Sequence, residues 1–142
     1  MKTTHVKQIA NILFGLVLIV TGIDKLVPFL PWPEMADGAN NFIGALFDSG
    51  YLWEVIGISE ILIGIALVAN RLVLFANILL APLSINILLF HLFLDPAIEV
   101  SLPAILLFAY NALTLASLRK QYAAAIFGHS QKRLIEEVVA AQ

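Results

Sequence analysis

Glu60 is a carboxylate in the middle of an apolar run, and Lys25 is a cation at the end of another. An ionised side chain near the centre of a membrane-crossing helix costs about 2.5–3.5 kcal/mol on insertion scales, so such a group needs a partner, a proton or a task. Counted from Leu52, Glu60 lies roughly 12 Å along a helix that rises 1.5 Å per residue, near the midplane of a hydrocarbon core about 30 Å thick. Proton exchange or a share in a substrate site is the chemistry open to it. Glu54, Gly57, Glu60, Gly64, Leu67 and Arg71 follow one another by three or four positions, as do Gly15, Leu18, Gly22 and Lys25. Each series reads as one stripe of a helix. Lys25 and Glu54 both fall at outer ends, so their pairing is the simplest geometry, with Glu60 in reach only if Lys25 points inward. A third run carries Asn77, Ser84 and His91 at intervals of seven, with Asp95 one turn further on and able to hydrogen-bond His91. A fourth carries Tyr110, Asn111, Thr114 and Ser117, with Asn111 near mid-depth. Lys25, Glu54, Glu60, His91, Asp95 and Asn111 are therefore expected to line one polar pocket in the outer half of the protein. The plainer alternatives are a structural ion pair at Lys25, a satisfied core or headgroup-contacting His91, and interhelical hydrogen bonds at Asn77 and Asn111.

The elements that must position these groups follow from the hydropathy. Of 142 residues, 61% are hydrophobic and 13% are charged, with a mean hydropathy of +0.93. A soluble domain carries about 25% charged residues, so lipid is the expected solvent. The expected fold is all-α, a polytopic membrane protein whose four spans, about 6–26, 52–69, 72–94 and 100–118, form a bundle within residues 1–120. A Lys2 and Lys7 flank ahead of an apolar stretch also fits a signal peptide, but Thr21 to Pro28 offers no small-x-small cleavage site. The long connection after the first run has Pro28, Pro31 and Pro33, which exclude a continuous helix, and aromatics that suit a headgroup layer. Residues 41–47 read as a short extracytoplasmic helix lying flat at the interface. Residues 121–142 read as a helical cytoplasmic tail with Lys132, Arg133, Glu136 and Glu137.

Lys2, Lys7, Arg71, Arg119, Lys120, Lys132 and Arg133 all fall on one side of this ladder, leaving Lys25 alone on the other with Glu34, Asp37, Asp48, Asp95 and Glu99. The positive-inside bias then puts both termini in the cytoplasm and the chain in the cell (inner) membrane. The net charge of −2 gives no reason to expect a nucleic-acid partner. The absence of cysteine removes disulfides, thiolate metal sites, iron–sulfur ligation and dithiol relays. A haem between two helices needs two histidines within the runs, and only His91 is there. No glycine-rich nucleotide loop or nucleophile elbow is present, and no metal site is expected.

Thr21-Gly22-Ile23-Asp24-Lys25-Leu26 closing the first run, Glu60 to Leu67 in the second, Arg71 opening the third and Phe90-His91-Leu92-Phe93 near its end resemble the DoxX/DoxX-like family of small four-helix membrane proteins. The resemblance covers roughly residues 6–120. It implies an association with membrane oxidoreductase systems, including thiosulfate and quinone chemistry, although most members have no assigned activity and the lack of cysteine here argues against a dithiol version. The function expected on these grounds is a membrane subunit of a redox or quinone-linked system that binds a lipophilic small molecule. Its partners would be the lipid bilayer, a membrane-bound redox enzyme, and further copies in an oligomer. A non-catalytic scaffold or assembly factor, suggested by the glycine-lined faces, is the alternative from another class. A proton-coupled transporter built on Glu60 is the third.

Overall fold

The computed structural model describes residues 2–140, with side chains described for 5–98 and 101–121. Within those residues every regular element is a helix: α1 Lys2–Leu26, α2 Asp37–Asp48, α3 Leu52–Val68, α4 Val73–Phe93 and α5 Ile98–Ala140. The side chains of Lys2, Glu99, Lys132, Arg133, Glu136 and Glu137 lie outside the described residues.

The first helix buries Asn11, Gly15, Leu18 and Gly22, a stripe at spacings of three and four. It stops where Pro28 disfavours helical backbone at the preceding residue. Lys25 in its last turn faces the negative end of the helix dipole. Asp24 beside it serves the loop: its Oδ1 accepts hydrogen bonds from the backbone N–H groups of Phe29 (2.9 Å) and Leu30 (2.8 Å). That bond pair folds the proline segment back over the helix end.

The flat helix expected at 41–47 is longer, starting at Asp37, and makes an angle of 93° with α3. Gly50 sits at the break with φ +75°, a conformation that residues with a Cβ rarely adopt. The Ser49 hydroxyl accepts the N–H of Leu52 at 3.0 Å, which satisfies one of the free donors at the start of α3. A buried Ala39, and Phe42 at 5.8 Å from Phe90, dock α2 onto the rest of the fold.

Three stretches, His5–Leu26, Val73–Phe93 and Ser101–Gln121, are long and apolar enough to cross a membrane. A fourth is reached only if α2 and α3 count together as one broken span. The reason is length: α3 has 17 residues, about 25 Å at 1.5 Å per residue, a little less than a hydrocarbon core of about 30 Å. No break separates the last span from the tail, since α5 runs unbroken from Ile98 to Ala140.

Helix α1 packs antiparallel along α3, α4 packs on α5, and α3 touches α4. Leu18, Ile63, Leu67, Ala76, Leu80, Leu107 and Tyr110 form the core, so α1, α3, α4 and α5 all contribute to it. Phe14 stacks on the Tyr110 ring at 4.4 Å. The outer faces remain apolar, with Leu62, Phe75, Phe93 and Leu113 exposed. In water such a continuous surface would drive aggregation. In lipid it has the solvent it needs.

Candidate functional site

Glycines decide how close α1 and α3 come. An added Cβ at Gly64 would lie 2.6 Å from the Gly15 carbonyl oxygen, and one at Gly22 would lie 2.6 Å from the Gly57 carbonyl oxygen. The two backbones are therefore in direct contact at two levels, a small-residue packing that suits a membrane interior. The glycine faces are matched to each other within the chain. They are not left open for another protein.

This close approach places Lys25 on Glu60. The ammonium Nζ donates to Glu60 Oε2 at 2.8 Å, and the Thr21 hydroxyl donates to the same oxygen at 3.0 Å. Lys25 Nζ also reaches the Thr21 carbonyl at 3.5 Å, one turn back along its own helix. The Glu60 side chain is 3% exposed and that of Lys25 is 18% exposed. The cation thus bridges a buried carboxylate and the edge of the fold. On that edge Nζ lies 5.4 Å from the Trp53 ring centroid, within the range of a cation–π contact. Trp53 in turn packs against Phe47 at 4.6 Å and Trp32 at 6.2 Å. An aromatic cluster from the loop, α2 and α3 roofs the ion pair.

The expected Lys25–Glu54 pairing is not what forms, and Glu54 is exposed. A residue turns about 100° around a helix, so two steps of three from 54 to 60 accumulate a drift of about 120°. Gly57, Glu60, Gly64 and Leu67 stay on the buried face, while Glu54 leaves it by this drift and Arg71 because α3 ends at Val68. Thr21, four residues before Lys25 on the same face, was the missed partner, and its spacing carried the signal.

His91 and Asp95 lie apart from this site, at the end of α4. Their nearest approach, Nδ1 to Oδ2, is 4.0 Å, too long for the expected hydrogen bond. His91 Nδ1 has no hydrogen-bond partner among the described residues. Asp95 Oδ1 instead accepts the backbone N–H of Ala36 at 3.4 Å. The carboxylate ties the entry to α2 onto the α4–α5 turn, and Ser101 adds a bond from its hydroxyl to the His91 carbonyl at 3.4 Å.

Asn111 belongs to a third group. Its Nδ2 donates to the Asn77 carbonyl (2.9 Å) and Oδ1 (3.1 Å), and its Oδ1 accepts from Ser84 Oγ at 3.2 Å. All three residues are buried, and the network clamps α4 to α5. A fourth group was not anticipated: Tyr110 donates its hydroxyl to Asn11 Oδ1 at 2.7 Å, and Asn11 Nδ2 donates to Asn70 Oδ1 at 2.9 Å. Asn11, four residues before Gly15, was legible as a polar residue on the buried stripe. Tyr110→Phe keeps the Phe14 stack and removes one buried hydrogen bond, so it is expected to cost about 1 kcal/mol. Unfolding by SDS in mixed micelles, followed by circular dichroism, measures this; Tyr110→Leu should cost about another 0.5–1.5 kcal/mol through the lost ring pair.

Of the six residues expected to share one pocket, Lys25 and Glu60 meet, His91 and Asp95 approach to 4.0 Å, Asn111 bonds Asn77 and Ser84, and Glu54 is exposed; no hydrogen bond among the described residues links these groups to one another. Two surface grooves, of about 550 and 280 Å³, are lined by none of the six. No group of three or more His, Asp or Glu residues is placed to hold a metal ion among the described residues.

No protein-family model matches this chain, and no significant match to a curated protein or a solved structure was found. Lys25 is a hydrogen-bond donor held at the edge of an aromatic cluster. Glu60 anchors it and Thr21 orients Glu60. The arrangement suits an apolar molecule with an oxygen acceptor better than it suits an ion pathway, because Glu60 is already neutralised by Lys25.

Proposed function

We propose that this chain is a DoxX-like integral protein of the cell (inner) membrane, a four-helix bundle with both termini cytoplasmic, that acts as the membrane subunit of a redox system and holds a quinone or similar lipophilic carbonyl compound. The observation that carries the reading is Lys25: its ammonium is anchored 2.8 Å from a buried carboxylate, yet stays partly exposed and 5.4 Å from the Trp53 ring. The basic residues at one set of loops support the orientation.

A quinone fits the chemistry of these groups, since it offers a flat ring to Trp53, Trp32 and Phe47 and a carbonyl oxygen to the Lys25 ammonium. When bound it would supply electron acceptance, which no side chain here provides. Lys25 donates the hydrogen bond that orients the molecule, and Glu60 holds the ammonium in place. Thr21 holds Glu60 Oε2 through a second hydrogen bond, and the aromatic cluster meets the ammonium through Trp53. With no cysteine and a single histidine in the apolar runs, electrons must come from a partner enzyme. The glycine faces that suggested a scaffold are packed against each other, Gly15 and Gly22 of α1 on Gly64 and Gly57 of α3, which favours the ligand site over a docking face there.

Native mass spectrometry of protein released gently from membranes tests the proposal. A bound quinone or other lipophile is expected with the natural sequence and is expected to be lost in Lys25→Met. An empty protein, or equal retention by Lys25→Met, together with unchanged respiratory activity on deletion, would sink it.

A further inference from the structure

The larger of the two grooves lies along the C-terminal half of α3, beyond Glu60. Its walls are Leu62, Ile65 and Ala66 from α3, closed by Ala69, Arg71 and Leu72 of the α3–α4 turn, and its volume is about 550 Å³. That size falls within the roughly 300–1,000 Å³ of small-molecule sites. The groove is open on the outer, apolar surface of the fold, where Leu62 and Ile65 are exposed. Arg71 is the one charged residue lining it. No carboxylate among the described residues lies within ion-pair distance of Arg71.

The turn is built so that this arrangement holds. Asn70 and Leu72 both take left-handed backbone conformations, with φ of 50° and 54°, which are costly for a residue with a Cβ. Asn70 is tied to Asn11 at 2.9 Å, so the turn is pinned to α1. Leu72 is left 73% exposed beside Arg71. The start of α4 has neither a side-chain cap nor an acidic residue in its first turn, which adds to the positive potential around the guanidinium.

An apolar trough ending in a guanidinium that pairs with no carboxylate among the described residues complements a molecule with a long hydrocarbon part and an anionic phosphate. Arginine can bind phosphate through two parallel N–H bonds, and the groove faces the side on which lipid would be the solvent. We propose that the groove beside the α3–α4 turn is a binding site for an anionic phospholipid, with its phosphate on Arg71 and an acyl chain along Leu62, Ile65 and Ala69. Arg71 then does more than set topology by its charge. It holds a particular lipid class against the helix that carries Glu60.

Native mass spectrometry of the full chain, titrated with phosphatidylglycerol or phosphatidylcholine of identical acyl chains, tests this directly. Preference for phosphatidylglycerol of about fivefold is expected from one basic residue at a membrane surface. Arg71→Gln should abolish the preference, Arg71→Lys should keep part of it, and Arg119→Gln should leave it intact. Ala69→Phe, which fills the trough without touching the charge, should lower retention of phosphatidylglycerol and gives a second reading should Arg71→Gln fail to fold. Equal binding of the two lipids would overturn the proposal. So would an unchanged preference in Arg71→Gln, an equal loss in Arg119→Gln, unaltered retention in Ala69→Phe, or displacement by glycerol phosphate as effective as by the intact lipid.

Discussion

Gly64→Ala is expected to pull α1 away from α3 and to cost about 1–3 kcal/mol, the range for overpacking a filled interior. The new Cβ would lie 2.6 Å from the Gly15 carbonyl oxygen and 2.8 Å from Ile19 Cγ1. A side chain could rotate away from such a contact; a carbonyl fixed in its own helix cannot. The helices must therefore separate, and the loss extends to whatever depends on their approach. Gly22→Ala carries the same conflict with Gly57, and its Cβ also comes within 3.1 Å of Glu60 Cβ. It should disturb the Lys25 contact as well as the packing. Gly44→Ala is the control, since nothing lies within 4 Å of its added methyl. It should leave stability unchanged, or raise it slightly through helix propensity. SDS unfolding of the three variants in mixed micelles measures the difference; Gly64→Ala within about 0.5 kcal/mol of the natural sequence would show that the interface can yield.

The same contacts explain which parts of the molecule were readable from the chain. Spans expected at 6–26 and 72–94 correspond to α1 and α4, whose apolar runs are bounded by Pro28, the α3–α4 turn and Pro96. The run expected at 100–118 lies inside α5, which continues because no glycine or proline follows its span until Gly128. The run expected at 52–69 corresponds to α3, whose 17 residues make a fourth crossing only when counted together with α2. Partner choice was harder to read. Glu54 and Glu60 look equivalent when spacing is counted by threes and fours, yet the drift of a 3.6-residue repeat puts them on different faces. Asp95 was assigned to His91 because side chains are visible in a sequence, whereas its acceptor role serves a backbone N–H of Ala36. Every non-proline residue carries such a donor, so composition offers no means of selecting it.

Removing the two ends of the Lys25–Glu60 pair should have unequal consequences. Lys25→Met strips the cation from a carboxylate that is 3% exposed, and breaking a buried pair in this way costs about 3–5 kcal/mol. Glu60→Gln leaves a lysine that is 18% exposed and whose flexible stem can carry the ammonium outward. It should cost less, about 1–2 kcal/mol, most of it from the lost charge-assisted hydrogen bond. The double variant Lys25→Met with Glu60→Gln removes both charges while keeping similar volumes. It should recover most of the loss, so the coupling energy in the cycle is expected to reach about 3 kcal/mol, the upper end of the range for residues in contact. SDS unfolding of the four proteins gives the stability side. Retention of the bound lipophile gives the other side, and the two together separate a structural pair from a working one. If the pair only fixes helix register, the stable double variant should retain the ligand as the natural sequence does. If Lys25 holds an oxygen acceptor, the double variant should fold and lose it, because methionine offers no donor at that place.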